Sequence, residues 1–128
     1  MNFAAKYNRT TTYYNYQYPE AEEAVYTNLK ELAENAKDPQ KVFTVYALYI
    51  SNKGKYGPTP AAAIGKSIIC NLPGWLTADI EKMRADEELT QAINAGRFGF
   101  RIGSFIRKGE SVKRYRPVWV DIEPELPF

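Results

Sequence analysis

Apolar and basic positions alternate between residues 97 and 107, a pattern typical of a strand with one face in the core. The core-facing side chains would be Phe98, Phe100, Ile102 and Ile106. The opposite face would present Arg97, Gly99, Arg101, Gly103, Phe105 and Arg107. A loop at 108–111 then predicts a hairpin with a returning strand at 112–122. Pro117 favours an edge position or a bulge for that strand, because proline has no N–H to donate.

Strand-like and helix-like segments alternate in the first half of the chain. The tyrosines and threonines of residues 7–18 favour an extended arm or edge strand. The apolar spacing from Pro19 to Lys37 predicts a helix. Residues 42–50 are apolar on both faces, which predicts a central strand. Residues 61–72 are expected to form a second strand that pairs back on it.

A second helix, in two parts, is expected before the C-terminal hairpin. Thr77 is a good N-cap residue, Asp86 would restart the helix, and Gly96 is typical of a residue that ends one. This order of elements predicts an α+β fold with a mostly antiparallel sheet and two helices. A partly open barrel of the OB type and a flat sheet backed by the helices are both compatible with it.

The length of 128 residues fits one domain. Within this single domain, 1–128, we expect residues 1–18 to form the Tyr-rich arm or edge strand. Residues 123–128 contain two prolines and are expected to form an irregular tail.

Amino-acid usage excludes several kinds of site. The sequence has no histidine and a single cysteine, which excludes histidine-containing zinc sites, Ser-His-Asp and Cys-His catalysis and a disulfide within the chain. Cys70 lies in an apolar run, where burial would raise the pKa of its thiol, so a structural role is expected.

Gly65-Lys66-Ser67 resembles the end of a phosphate-binding P-loop. However, Pro60 stands where that motif requires glycine, and a strand-like run follows the serine instead of a helix. The remaining candidates for chemistry are carboxylates: Asp86, Glu87, Glu88 and Asp121 would suit a metal-dependent nuclease if they converged in a cleft. The first three also suit a helix start. We therefore expect no enzyme activity and no cofactor.

Basic residues are concentrated in one segment, although the formal net charge is only +2. Residues 20–38 are mainly acidic, whereas residues 97–116 are mainly basic and contain Glu110 as their one acid. If the hairpin placed Tyr115 and Trp119 beside the arginine-bearing face, basic and aromatic side chains would share one surface. Gly99 and Gly103 would leave room there for a ligand to approach the backbone.

Such a surface suits nucleic acid, because basic side chains neutralise phosphates and aromatic rings stack on bases. The predicted binding residues are Arg97, Arg101, Phe105, Arg107, Lys113, Arg114, Tyr115 and Trp119, with Lys53, Lys55 and Tyr56 as a second, loop-borne set. The alternative is that the acidic helix covers this face and that Phe105 and Trp119 pack beneath it.

Four segments resemble small uncharacterised early-region proteins of Gram-positive phages and mobile elements. They are Gly54-Lys55-Tyr56-Gly57, Asn71-Leu72-Pro73, residues 92–100 and residues 118–124. The resemblance implies a role in DNA replication, recombination or counter-defence, and it transfers no catalytic residue.

These observations favour a non-enzymatic nucleic-acid-binding accessory protein, with single-stranded DNA as the favoured partner. The alternative is a phage-encoded protein-interaction module that inhibits or triggers a host defence factor through the acidic helix or the aromatic arm. No apolar run is long enough to span a membrane, so no membrane partner is expected, and a cytoplasmic location follows by default. The arm and the apolar tail, Leu126-Pro127-Phe128, would also suit a homodimer contact.

Overall fold

The computed structural model describes residues 14–51 and 58–123. Within them the strands are β1 (Val25–Asn28), β2 (Phe43–Thr44), β3 (Ala47–Ser51), β4 (Thr59–Ala63), β5 (Ile68–Asn71), β6 (Phe98–Phe105) and β7 (Arg114–Asp121). The helices are α1 (Leu29–Asn35), α2 (Thr77–Ala85) and α3 (Glu87–Asn94), and a 3-10 turn at Gly74–Leu76 leads into α2. The predicted α+β class is confirmed. None of the helices in the described ranges is long and apolar enough to cross a membrane.

Two small sheets share one bent segment of chain. The first sheet has the order β1-β5-β4-β3, and only its β1–β5 pair is parallel. The second sheet has the antiparallel order β2-β6-β7. The chain passes from one sheet to the other where the Val45 N–H donates to the Phe98 carbonyl at 2.9 Å and the Tyr46 N–H donates to the Ala63 carbonyl at 2.8 Å. The described strands therefore form an open, bent sheet with β1 and β7 at its outer edges.

The main core lies between the two sheets and the helices. Phe100 at its centre stacks on Phe43, with ring centroids 5.6 Å apart, and meets Trp119 edge-on at 5.9 Å. Leu48 from the first sheet and Ile80 from α2 are fully buried in the same cluster. Each fully buried side chain of this size contributes about 1.5–3 kcal/mol. Packing between the sheets and the helices is therefore the main source of stability.

The predicted helix from Pro19 to Lys37 is wrong in its first half. Val25–Asn28 form β1, which pairs in parallel with β5, and the helix begins only at Leu29. The β-branched and aromatic residues of β1 favour a strand where a sheet edge offers hydrogen bonds. The Asn28 side chain then caps α1 by accepting a hydrogen bond from the Glu31 N–H at 2.9 Å.

The single strand predicted at 61–72 is a hairpin of two strands, β4 and β5. The Ile64 N–H donates to the Ile68 carbonyl at 3.0 Å, which closes the turn between them. Gly65-Lys66-Ser67 lies in that turn. A strand follows Ser67, as predicted, and not the helix that a P-loop requires. The strand expected at 42–50 is divided by the bend into β2 and β3. Each piece is the end strand of its own sheet and pairs with one neighbour, so the prediction of a single central strand is wrong.

The two-part second helix is confirmed as α2 and α3. The Asp86 side chain caps α3 by accepting from the Leu89 N–H at 3.2 Å, and Gly96 follows with φ +72°. Thr77 is not the N-cap that was expected: it is the first residue of α2, and its hydroxyl donates to the Gly74 carbonyl.

Tyrosine rings cover the face of the first sheet that points away from the main core. Ala47, Ala61, Ala63 and Ile69 form a shallow apolar surface there, and Tyr14 and Tyr16 pack against it. Tyr18 meets Tyr49 edge-on, with ring centroids 5.0 Å apart. Residues 14–18 therefore provide the predicted aromatic cover, although they do not form a strand. The rest of the predicted arm, residues 1–13, lies outside the described residues.

This tyrosine layer predicts loss of stability in alkali. Burial, followed by the proximity of Tyr16 and Tyr14, raises the pKa of Tyr49 to about 12, and a hydrogen bond with Tyr26 raises the pKa of Tyr18 to about 12. Because these pKa values lie above the usual value near 10, the folded state binds more protons than the unfolded chain above that pH. The contribution of these two tyrosines to the free energy of unfolding should stay level below about pH 10 and fall between about pH 10 and pH 12.

Urea unfolding curves at stepped pH measure this effect. The variant Tyr49→Phe cannot ionise at that position, so its stability should fall less steeply over the same interval. Equal slopes for the two proteins would show that Tyr49 ionises at its ordinary pKa in the folded state.

The lone cysteine is expected to be unreactive while the protein is folded. Cys70 is 0% exposed, and burial together with the negative charge of Glu31 raises the pKa of its thiol to about 12. Since the thiolate is the reactive form, a disulfide reagent at neutral pH should modify Cys70 only when the fold opens. The modification rate should therefore rise with urea in parallel with unfolding. Rapid labelling of the native protein would contradict the burial.

Candidate nucleic-acid interface

The register of the β6–β7 hairpin decides which side chains share a face. Phe100 pairs with Trp119, and Arg101 pairs with Val118. Directly paired residues lie on the same face of a sheet, and the faces alternate along each strand. We call the face that contains Phe100 the inner face and the face that contains Arg101 the outer face. The outer-face set from the two strands is Gly99, Arg101, Gly103, Phe105, Arg114, Arg116, Val118 and Val120.

Three arginines lie exposed on the outer face. Arg101 donates from Nη1 to the Gln40 side-chain oxygen at 3.1 Å. Arg114 forms a two-bond ion pair with Glu110, at 2.8 Å from Nε and 3.1 Å from Nη2. Arg116 is exposed, with no hydrogen bond or ion pair to any residue of the described ranges. The outer face thus has one free guanidinium, one held by a neutral amide and one paired with a carboxylate.

The outer face is not covered by the acidic helix. α1 packs against β7, and its residues Ala33 and Glu34 line a groove together with Ile102 and Tyr115, which are inner-face residues. The helix therefore lies on the inner side of the second sheet. The alternative raised by the sequence, that this helix roofs the arginine face, is wrong.

Tyr115 and Trp119 do not lie beside Arg101. Their partners across the hairpin are Ser104 and Phe100, so both rings point to the inner face and pack against the core. Trp119 stacks on Phe98, with ring centroids 5.5 Å apart. The predicted grouping of these two rings with the arginines is therefore wrong. Phe105, half-buried, is the aromatic residue that the hairpin does place on the outer face.

The glycines of β6 leave less space than predicted. A Cβ atom on Gly99 would lie 2.4 Å from the Phe43 carbonyl oxygen, so the space above that residue is occupied by β2. A Cβ atom on Gly103 would lie 3.0 Å from Val118 Cγ2 and 3.5 Å from Arg116 Nε. Gly99 therefore permits the close approach of β2 to β6. Gly103 leaves room for the Val118 and Arg116 side chains to lie across β6.

The remaining predicted residues fall at the ends of the hairpin strands or outside the described residues. Arg97 precedes β6, Arg107 follows it and Lys113 precedes β7, and all three are exposed. Ile106, expected in the core, is 60% exposed because β6 ends at Phe105. Lys53, Lys55 and Tyr56 lie outside the described residues, as does the apolar tail at 126–128.

Arg116 is missing from the predicted set although the structure places it at the centre of the outer face. The alternation along residues 112–122 already puts Arg114 and Arg116 on one face of their strand. The missing information was the register, which depends on the length and shape of the hairpin turn. Gly109, with φ +87°, and the bond from the Glu110 N–H to the Arg107 carbonyl set that turn.

Glu110 partly opposes the positive charge of the hairpin. The hydrogen bond from Arg114, together with the charges of Arg114 and Arg107, lowers the pKa of Glu110 below its usual value. The carboxylate is therefore ionised at neutral pH and competes with any phosphate for Arg114. Within residues 14–51 and 58–123, neither Arg101 nor Arg116 is paired with a carboxylate.

Pro117 protects the free edge of β7. The Ile122 N–H donates to the Arg97 carbonyl at 2.8 Å, which places the even-numbered residues of β7 in hydrogen-bonded pairs with β6. The backbone of Pro117 therefore faces away from β6, where its missing N–H interrupts the exposed edge. This confirms the edge position predicted from the proline and discourages pairing with another strand.

Within residues 14–51 and 58–123, no three histidine, cysteine, aspartate or glutamate side chains are grouped so that they could hold a metal ion. Comparison with known proteins found no matching family model, no curated relative and no similar solved structure.

Proposed function

We propose that the protein is a non-enzymatic nucleic-acid-binding accessory protein that holds a phosphate backbone on the outer face of the second sheet. The observation that supports this best is the row formed by Arg101, Arg116 and Arg114 on an open strand face that no helix of the described chain covers. A role among phage or mobile-element early functions, as the sequence resemblance implies, belongs to the same proposal.

The chemistry of the outer face suits a flexible polyanion. Guanidinium groups donate paired hydrogen bonds to phosphate oxygens, and they are more weakly hydrated than ammonium groups. Val118, which pairs with Arg101, and the half-buried Phe105, which pairs with Arg114, offer apolar surface to sugars and bases. Since these contacts read no base edge, the outer face by itself should contribute little sequence preference.

Fluorescence anisotropy with a labelled single-stranded oligonucleotide over a salt series tests the proposal. If the three arginines each neutralise one phosphate, the logarithm of the binding constant should fall against the logarithm of salt concentration with a slope of about −2. Absence of binding even at low salt would refute the function. Binding that does not respond to salt would refute the arginine face as its basis.

A second candidate function is a protein-interaction module, and one observation favours it. Val25 is 57% and Tyr26 53% exposed on β1, and Ile68 on the neighbouring β5 is 40% exposed. Among the described strands, β1 is the end strand of the first sheet. Exposed apolar side chains next to a free strand edge suit strand addition by a partner. The aromatic arm is less suited to this role than the sequence suggested, because Tyr14 and Tyr16 are packed on the sheet.

Nuclease-treated pull-downs separate the two functions. A stoichiometric protein partner retained by the wild-type chain and lost in Val25→Lys would favour the interaction module. Lys30→Glu serves as the control, because it also changes the charge of an exposed residue but lies in α1 and not in β1. Equal recovery of any partner by both variants would exclude the β1 edge as its site.

A further inference from the structure

A groove lies on the inner side of the second sheet, opposite the arginine-bearing face. It has a volume of about 330 Å³, at the small end of the range for sites that enclose a small organic molecule, which begins at about 300 Å³. Its lining residues come from α1 and the loop after it, and from all three strands of the second sheet: Ala33, Glu34, Ala36, Asp38, Pro39, Lys41, Phe43, Ile102, Ser104, Lys113 and Tyr115.

The floor of the groove is apolar and its rim is charged. Half-buried Phe43, Ile102 and Tyr115 form the floor, whereas the charged lining residues are exposed. The Phe43 ring already has partners within the chain, since it stacks on Phe100 and Lys41 Nζ lies 5.1 Å from its ring centroid. The cross-strand partner of Tyr115 is the small, exposed Ser104. Tyr115 is therefore the ring on which a planar ligand has room to stack.

The rim offers groups for both ends of a nucleotide. Lys41 and Lys113 are exposed ammonium groups that can bind phosphate, as lysine does on nucleic-acid backbones. Glu34 and Asp38 are exposed carboxylates that can accept hydrogen bonds from the exocyclic amino group of a base. Asp38 already accepts from the Gln40 N–H through Oδ1 at 2.9 Å, which holds its carboxylate in place.

We infer that this groove takes one unpaired nucleotide of a strand bound on the outer face. The inference rests on the proposed function and makes it specific for single strands. β7 lies at the edge of the second sheet, with Arg114 and Arg116 on its outer side and Tyr115 on its inner side. A flexible single-stranded nucleic acid can therefore pass around this edge from the outer face to the groove. Lys113, next to Arg114 in sequence, lines the groove and can contact the nucleic acid where it passes around the edge of β7. A duplex cannot follow this path without unpairing a base.

Filling the groove tests this inference. Ser104 is exposed, so Ser104→Trp places a bulky ring over the groove without disturbing the core, and Ser111→Trp makes the same change in the hairpin loop, where the residue is exposed and outside the groove. The affinities of each protein are measured for an oligodeoxycytidylate strand and for a duplex of equal length. Stacking of one base on an aromatic ring commonly contributes tenfold or more in affinity. We expect wild type and Ser111→Trp to prefer the single strand at least roughly tenfold, and Ser104→Trp to lose that preference.

A second measurement needs no variant. The rim carboxylates favour bases with an amino group, so the wild-type protein should bind oligodeoxycytidylate more tightly than oligothymidylate. If single strand and duplex bind and Ser104→Trp leaves their ratio unchanged, or if cytosine and thymine strands bind equally, the groove inference is refuted while the proposed function stands. If neither nucleic acid binds to wild type, the proposed function fails and the inference fails with it.

Discussion

Gly99→Ala is expected to destabilise the protein by about 2 kcal/mol and to lower its melting temperature by several degrees. The new methyl group would lie 2.4 Å from the Phe43 carbonyl oxygen and 3.1 Å from Ile122 Cδ1. The first of these atoms is backbone and belongs to the strand that joins the two sheets, so it cannot move independently. Overpacking of this kind costs about 3 kcal/mol, of which the lower chain entropy of alanine in the unfolded state offsets up to about 1 kcal/mol.

Gly74→Ala is the matched control for this substitution. A Cβ atom on Gly74 meets nothing within 4 Å, so the variant should be as stable as wild type or slightly more stable. Urea unfolding of the three proteins, followed by circular dichroism, gives the comparison. Equal stability of Gly99→Ala and Gly74→Ala would show that the Phe43 carbonyl does not lie this close to Gly99.

Arg101→Gln combined with Arg116→Gln is expected to weaken binding of a single-stranded oligonucleotide roughly 20-fold at low salt. These two guanidinium groups lie exposed on the outer face without a competing carboxylate among their described contacts. Removing two phosphate contacts from a single strand should also reduce the steepness of the salt dependence by about 1.4. Anisotropy titrations at stepped salt concentrations measure both quantities.

Lys30→Gln combined with Lys37→Gln removes the same total charge from another surface. Both lysines are exposed, in or just beyond α1, and their loss should change the affinity by less than about threefold. If the lysine variant weakened binding as much as the arginine variant, the net charge of the protein would explain the binding. The arginine face would then have no special role.

Local patterns predicted the C-terminal hairpin well. The alternation along 97–107 located β6 and its buried side chains, and Pro117 marked β7 as an edge strand. Asp86 and Gly96 also marked the boundaries of α3, because capping uses side chains close in sequence. These features depend on a few neighbouring residues, and for that reason a single sequence contains them.

Features that depend on distant partners were predicted poorly. Val25–Asn28 have apolar spacing compatible with a helix, but they become a strand because β5 offers them a parallel partner. The placement of Tyr115 and Trp119 depended on the hairpin register, since a shift of one residue exchanges the two faces of β7. The space above Gly99 is filled by a segment more than fifty residues earlier in the chain. No local pattern reports any of these contacts.

Amide chemical shifts recorded during an oligonucleotide titration test the central proposal most directly. If nucleic acid binds across the second sheet, the largest shift changes should fall on Arg101, Gly103 and Arg116, which lie on or between the outer-face arginines. The amide chemical shifts of Ala47 and Ala61, beneath the tyrosine layer of the first sheet, should not change. Shift changes confined to the β1 edge or to the first sheet, with the β6–β7 amides unmoved, would contradict the account.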